Sequence, residues 1–467
     1  MKTVAFHNLG CKVNSYELEV MQQKLQDEGY TVVPFDSPAD IYIINTCTVT
    51  NIADRKSRQM LHRAKQKNPQ SVVVAVGCYV QSGKEDAEKD ESIDLLVGNN
   101  RKKDIVEILE DYLKRRGTQS EKRDKTLGET TVLDINHTYE YEEMQLRRTS
   151  GHTRAYIKIQ DGCNQFCSYC EIPYARGRVR SRKAEDILKE ITVLAESGCK
   201  EVVLTGIHIS SYGIDFDGQA WSEGRSQRME GKEHPEYTGA GRLIDLVEKI
   251  QEIPGLERIR LGSLEPRIVT PATAKRLASV KGLCPHFHLS LQSGCDATLK
   301  RMNRHYTTGE YLEAVELLRE NFNHPAITTD VIVGFPGETD EEFRETKAFL
   351  EKIGFYEMHI FKYSRRAGTA ADRMPDQIPD SVKTIRSNEL LAMERRQSEA
   401  FRRTYIGREA EVLLEDIEEI DGRQWRIGHT PDYVRVAVNP EGTAENTIVR
   451  VPVKGLLTEE ILVSLEF

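Results

Sequence analysis

The sequence predicts an α/β protein in three parts. An N-terminal parallel-sheet α/β domain occupies residues 1–114 and a linker 115–150. A central partial (β/α)6 barrel covers 151–380, and a linking helix with a small all-β barrel covers 381–467. Three observations carry this reading. Short β-branched runs alternate with helical runs from the start of the chain, six further strand–helix units follow from about residue 153, and short β-like runs close the sequence. Strands that alternate with helices lie parallel in a sheet covered by those helices.

In the first part TVAFHNLG precedes the helical ELEVMQQKLQDEG, and DIYIINTC precedes the charged DRKSRQMLHRAKQKN. VVVAVGC precedes a polar helix, and IDLLVGNN precedes RKKDIVEILEDYLKRR. The linker is polar, charged and poor in periodicity. In the second part the strands are RAYIKIQ, EVVLTGI, RIRLGSL, HFHLSLQ, ITTDVIVGF and EMHIFKYS. Six units suit an open arc better than the closed eight-fold barrel. The Gly-rich polar stretch between Tyr212 and Gly241 reads as a surface insertion. A helix from about 381 then leads into EAEVLLED, QWRIGHT, YVRVAV, TIVRVPVKG and ILVSLEF, the pattern of a small β barrel.

The 467 residues are 39% hydrophobic and 30% charged, which suits sizeable soluble cores. No apolar run approaches the roughly 18 residues that span a bilayer, and MKTVAFHNLGC lacks a signal-peptide layout. No membrane partner and a cytoplasmic location are therefore expected. The net charge of −9 excludes a chain coated in positive charge but leaves local basic patches open. Nine cysteines in such a chain point to metal or redox chemistry rather than disulfides.

Cys163, Cys167 and Cys170 lie in DGCNQFCSYC, just after a strand. A structural zinc loop with a distant fourth ligand is one reading, but zinc sites favour two Cys-x-x-Cys pairs. Three thiolates around a four-iron cube leave one iron without a protein ligand. That iron can be chelated by an amine and a carboxylate. This is the chemistry of S-adenosylmethionine on a radical-type cluster, and it makes the three cysteines the catalytic centre. Cys11, Cys47 and Cys78 each follow a predicted strand, in VAFHNLGC, IYIINTC and VVVAVGC. Parallel strands end on one sheet edge, so these thiols can also converge. Their alternative is the ordinary role of cysteine as a small buried hydrophobe, which is the reading given to Cys199, Cys284 and Cys295.

LGCKVNSYE, INTCTVTNIADRKSRQ and AVGCYVQ resemble the N-terminal domain of the methylthiotransferase family. DGCNQFCSYC resembles that family's radical S-adenosylmethionine core, and the C-terminal region resembles its TRAM domain, a small RNA-binding barrel. The resemblance covers nearly the whole chain. LGCKVNSYE is most similar to the branch that acts on N6-threonylcarbamoyladenosine in tRNA. The family carries two [4Fe–4S] clusters. The resemblance implies that Cys11, Cys47 and Cys78 hold the second one and that its open iron presents the sulfur. It also implies that one S-adenosylmethionine methylates that sulfur, while another is split to a 5′-deoxyadenosyl radical that removes hydrogen from the substrate carbon. The aromatic C2–H bond is not acidic, so acid–base residues would gain little there.

The same resemblance suggests cofactor contacts. Tyr169 would lie near the adenine, with ordinary packing as the alternative. Ile332 and Gly334 in TTDVIVGFPGE would meet adenine through their backbone. Ser290 and Gln292 in HLSLQSG, alternating on one strand, would face the ribose or carboxylate. Gly206 stands where relatives carry a glycine-rich turn for the methionine amine, and Glu265 is an acid at the barrel edge. Arg366, Gly368 and Thr369 in YSRRAGTAADRMP match a family stretch usually richer in proline. YARGRVRSRK places Arg176, Arg178, Arg180, Arg182 and Lys183 close together, a density suited to phosphate, with a solvated or ion-paired loop as the alternative. Residues 54–67 read as a charged solvent face. In the C-terminal module Arg426, Arg435 and Lys454 are sparse contacts among many acids.

The expected function is methylthio transfer to C2 of a tRNA adenosine just 3′ of the anticodon, at position 37. The partners are the tRNA anticodon loop and an electron donor such as a flavodoxin or ferredoxin. The rivals are the same chemistry on isopentenyl-adenosine tRNA or a ribosomal protein side chain, and a non-catalytic iron–sulfur RNA-binding protein.

Overall fold

A computed structural model describes residues 2–118, 129–149, 153–216 and 240–464. Most of the stretch expected as a surface insertion lies outside the described residues. The N-terminal sheet has six parallel strands in the order Thr31–Val33, Thr3–Asn8, Ile41–Thr46, Val72–Gly77, Leu95–Val97 and Glu129–Thr130. Its two middle strands are buried at every position. This is why they read as unbroken apolar runs: helices cover both faces of a parallel sheet.

The polar stretch 115–150 is not a free linker. The helix Ile105–Thr118 runs into its start, and Glu129–Thr130 joins the sheet. Met144 and Leu146 are buried in the main core. The Tyr16 hydroxyl donates to the Met144 carbonyl at 2.5 Å.

The barrel strands Arg154–Asp161, Glu201–Gly206, Arg258–Leu261, His286–His288, Ala326–Val333 and Glu357–Lys362 form an open parallel arc. Isolated parallel bridges at Ile259–Leu283 and Leu264–Leu289 join its two halves. Thr270, Thr307 and Thr339 each close a reciprocal capping box at a helix start. One apolar core runs from Val4 and Val20 through the barrel helices to Leu390, so the N-terminal domain and the arc are packed as one body.

After the helix Asp380–Arg403 the chain forms a six-stranded mixed sheet over Glu409–Val463. This sheet sits under the N-terminal ends of the barrel strands. Arg258 donates to the His429 carbonyl at 2.9 Å, Arg260 to that of Pro431 at 2.8 Å, and Arg154 to the Tyr433 hydroxyl at 3.0 Å. Buried Glu201 anchors this layer. Burial pushes its carboxyl up, but Arg260 and Arg154 overcome that and hold it at about 2. The opposite end of the arc, past the strand C-termini, is left to the cysteines. Among the described residues no helix is long and apolar enough to cross a membrane.

Candidate active site

Cys11 caps the helix Lys12–Asp27, Cys47 directly follows Ile41–Thr46, and Cys78 opens a helix directly after Val72–Gly77. Those three strands are sheet neighbours, so parallel order brings residues far apart in sequence to one edge. The approach is close enough to require glycine beside two of them. A Cβ on Gly10, at φ +109°, would stand 2.9 Å from Cys47 Sγ, and one on Gly77, at φ +99°, 2.6 Å from Asn45 Oδ1. Burial pushes the Cys47 thiol up to about 12, partly offset by the Val49 backbone and reinforced by Cys78 and Cys11. Cys11, at the helix start, is exposed.

Cys163, Cys167 and Cys170 sit half-buried in an irregular loop after Arg154–Asp161. Arg304 Nη1 donates to Cys167 Sγ at 3.3 Å, and the Gln165 N–H to Cys163 Sγ at 3.5 Å. Desolvation pushes the Cys170 thiol up to about 12, with Cys167 adding to it. At both sites a cation must displace thiol protons to bind.

The two trios are wired together by arginines. Arg176, six residues past Cys170 in sequence, reaches into the other site, where its Nε donates to Cys78 Sγ at 3.2 Å and its Nη2 to Asn14 Oδ1 at 2.6 Å. It also pairs with Glu17 at 2.8 Å and Asp161 at 3.2 Å. Lys158 bridges the same two carboxylates at 2.7 Å each, Lys102 binds Glu17, and Arg180 lies 3.6 Å from Asp161. All six groups are buried. Four cations thus share two carboxylates beside Cys78. Buried charge needs compensation, and an anionic thiolate-bound cluster supplies it. The donor set therefore fits an iron–sulfur centre at this trio as well as at the loop.

Arg366 ties the remaining edges. It donates to Thr48 Oγ1 at 2.6 Å, Asp54 Oδ2 at 2.5 Å and Glu171 Oε2 at 2.8 Å. Thr48 adjoins Cys47 and Glu171 adjoins Cys170, so one buried guanidinium spans from one trio to the other.

This placement corrects the basic-run expectation. Arg176, Arg180 and Arg182 are buried, and Arg182 pairs with Glu190, so they face no phosphate. Their partners Glu17, Asp161 and Glu190 come from other segments, which the local run does not show. Arg178 stays half-exposed over the Phe166 ring at 4.5 Å.

The predicted cofactor residues lie around the loop trio. Tyr169 meets Phe335 edge-on at 6.2 Å. Glu265 is buried 3.4 Å from His208 Nε2 and 3.5 Å from Gln165 Nε2, at the cysteine loop. Gly206 ends its strand, and a Cβ there would stand 2.9 Å from Ile209 Cγ2 and 3.0 Å from the Gln160 carbonyl oxygen. Two expectations need revision. Gln292 has φ +71° and forms only an isolated bridge, which breaks the alternation that would put it on one face with Ser290. The N–H groups of Ile332 and Gly334 are already engaged, by the Gln292 carbonyl at 2.8 Å and Glu338 Oε2 at 2.7 Å, so neither is free to donate to a base. Asn14, Glu17, Asn99, Lys102 and Arg304 were not singled out from sequence. Asn14 follows Cys11 by three residues and Glu17 follows Asn14 by three, so each neighbours the one before it on the helix surface; the others carry no local signal.

Residues 3–98 match the uncharacterized protein family UPF0004, and residues 157–350 match the radical SAM superfamily. The chain is 36% identical to the threonylcarbamoyladenosine tRNA methylthiotransferase MtaB of Bacillus subtilis over 97% of this chain and 94% of that protein. It is 39% identical to the protein of the same name from Aquifex aeolicus over 89% and 93%. It is 35% identical to the tRNA-2-methylthio-N(6)-dimethylallyladenosine synthase of Desulfotalea psychrophila over 89% of each. Among solved structures, the radical S-adenosylmethionine methyltransferase TsrM of Kitasatospora setae superposes with a TM-score of 0.53 at 16% identity, over 79% of this chain and 74% of that one. That likeness is one of fold.

Proposed function

Because this chain belongs to the radical SAM tRNA methylthiotransferase family, we propose that it installs the methylthio group at C2 of N6-threonylcarbamoyladenosine at position 37 of tRNA, with two [4Fe–4S] clusters. Cys163, Cys167 and Cys170 would hold the cluster that binds S-adenosylmethionine, and Cys11, Cys47 and Cys78 the second. The observation that carries the two-cluster reading is the buried network at Cys78, where four cations face two carboxylates. When bound, the clusters and S-adenosylmethionine supply a carbon-centred radical and an activated methylthio donor.

The chain's own residues do the rest. Arg304 and Arg176 donate to cysteine sulfur, and such donors tune a cluster's potential. Glu265, 3.5 Å from Gln165 in the cysteine loop, would take the cofactor's ammonium, and Tyr169, beside Phe335, would flank its adenine. Arg178 and exposed Lys183 are the members of the basic run left to meet RNA. The C-terminal sheet, as a TRAM-type module, would hold the tRNA body, and a flavodoxin or ferredoxin would deliver the electron.

The threonylcarbamoyl substrate is supported by the LGCKVNSYE stretch around Cys11. A dimethylallyl substrate is the second reading, favoured by the similar identity to the Desulfotalea protein. Nucleoside mass spectrometry of tRNA from a deletion strain separates them. Loss of the methylthio mark on threonylcarbamoyladenosine is the expected result; its persistence with loss from dimethylallyladenosine overturns the proposal.

A further inference from the structure

The concave side of the strand arc carries nitrogen and oxygen donors that neither cysteine site uses. Phe287, Leu289, Ile327 and Met358 belong to the apolar core. Alternation along each strand therefore turns His288, Thr328, Asp330 and His359 to the opposite, inner face. They come from three adjacent parallel strands. His288 stands opposite Thr328, and Asp330, one pleat further on, stands opposite His359.

His288, Asp330 and His359 can each offer one ligand atom such that all three lie within 4.8 Å of one another. Two of them are closer. His288 Nε2 lies 3.4 Å from Asp330 Oδ2. That is longer than the roughly 2.7–3.2 Å of an N–H···O hydrogen bond. It matches two ligands that share a zinc ion, since bonds of about 2.0–2.1 Å at the tetrahedral angle set donor atoms about 3.3–3.4 Å apart.

The other ring nitrogen, His288 Nδ1, lies 3.1 Å from Thr328 Oγ1. Donation from Nδ1–H to that hydroxyl leaves the Nε2 lone pair for a metal, and an outer partner of this kind fixes the tautomer and angle of a ligating imidazole. His359 is exposed, and its ring stacks with that of His288 at a centroid distance of 6.0 Å. A side-chain rotation there closes the third bond without moving a strand. His359 also lines a polar cleft of about 780 Å³, a path by which a hydrated ion can arrive.

Two imidazoles and one carboxylate form a mixed nitrogen–oxygen set. Imidazole suits zinc and its first-row neighbours, whereas magnesium and calcium seek oxygen and iron–sulfur clusters seek thiolate. Three protein ligands leave a fourth tetrahedral position for water or an anionic oxygen. We propose that His288, Asp330 and His359 form a zinc site distinct from both cysteine trios, with Thr328 as its positioning residue. The proposal does not depend on which RNA the protein modifies or on how the cysteine sites divide their chemistry.

The test uses anaerobically purified full-length protein with both cysteine sites loaded with iron, so that the thiolates are occupied when Zn2+ is added. Kd for Zn2+ by calorimetry, zinc per chain after desalting and zinc K-edge X-ray absorption are read for wild type, His359→Gln, Asp330→Asn and Thr328→Val at matched iron content. The wild type is expected to retain one zinc per chain, with nitrogen and oxygen neighbours at about 2.0–2.2 Å. His359→Gln and Asp330→Asn should each weaken Zn2+ binding by about a hundredfold or more, and Thr328→Val by about tenfold.

A sulfur shell near about 2.3 Å, a wild type that keeps no zinc after desalting, or a wild-type Kd in His359→Gln overturns the proposal. If Asp330→Asn loses its fold, exposed His359 decides, and an unchanged Kd in its variant overturns the site.

Discussion

The two cysteine trios are assembled by opposite routes. The loop trio is local. Eight consecutive residues after one strand supply every sulfur, and its guanidinium donor, Arg304, comes from a neighbouring loop. The N-terminal trio is topological. Three sheet neighbours each deliver one sulfur, glycines clear the approach, and the donor Arg176 belongs to the partner domain. This second trio is built into the interface between domains, and its charge balance is incomplete without an anion.

The largest effects separate the sites by chemistry. Replacing Cys163, Cys167 and Cys170 with alanine should abolish both 5′-deoxyadenosine and methylthio product and remove about half the iron. Replacing Cys11, Cys47 and Cys78 should remove the other half and the methylthio product while leaving 5′-deoxyadenosine formation in place. Iron and sulfide counting with mass spectrometry reads both, and loss of all iron from either variant breaks the picture of independent sites.

Next in size is the contrast between arginines. Arg176→Met should cost about 3 kcal/mol in iron-loaded protein, because it removes donors to Cys78, Glu17 and Asp161. In iron-free protein the cost should be smaller, since the network there already has cations in excess. Arg304→Met, outside that network, should show no such difference. Anaerobic chemical unfolding of loaded and stripped protein measures this, and equal losses in both forms contradict the charge argument.

Gly10→Ala should cost about 1–3 kcal/mol through positive φ and contact with Cys47. It should lower iron at the N-terminal site and spare 5′-deoxyadenosine yield. The smallest effect is at Arg178, whose alanine variant should weaken tRNA binding a few-fold and reduce the salt slope by about one. Lys or Ala at buried Arg182 should change stability and leave that slope untouched.

The same contrast explains what was legible in the sequence. The loop trio and all six barrel strands were visible because motif and periodicity are local properties. The N-terminal trio was visible only as a repeated position, a cysteine after each of three strands. The roles of Arg176, Arg180 and Arg182 were not visible, since a run of positive charge reads the same whether it faces solvent or carboxylates brought by remote segments. Met144 and Leu146 carry no signal in the sequence because two apolar residues in a polar stretch set no period, although tertiary packing buries both. The break at Gln292 was hidden for the same reason: alternating letters do not reveal a left-handed residue.

Arg366 carries a consequence for turnover. Swinging the domains apart would drag a buried guanidinium away from Asp54 and Thr48 and leave it on Glu171 alone, at a cost of several kcal/mol. The protein is therefore a fixed jig rather than a jaw. On the proposed reaction the nucleotide and the small reactants would do the travelling, and the spacing of the two cysteine sites would be set once, at folding.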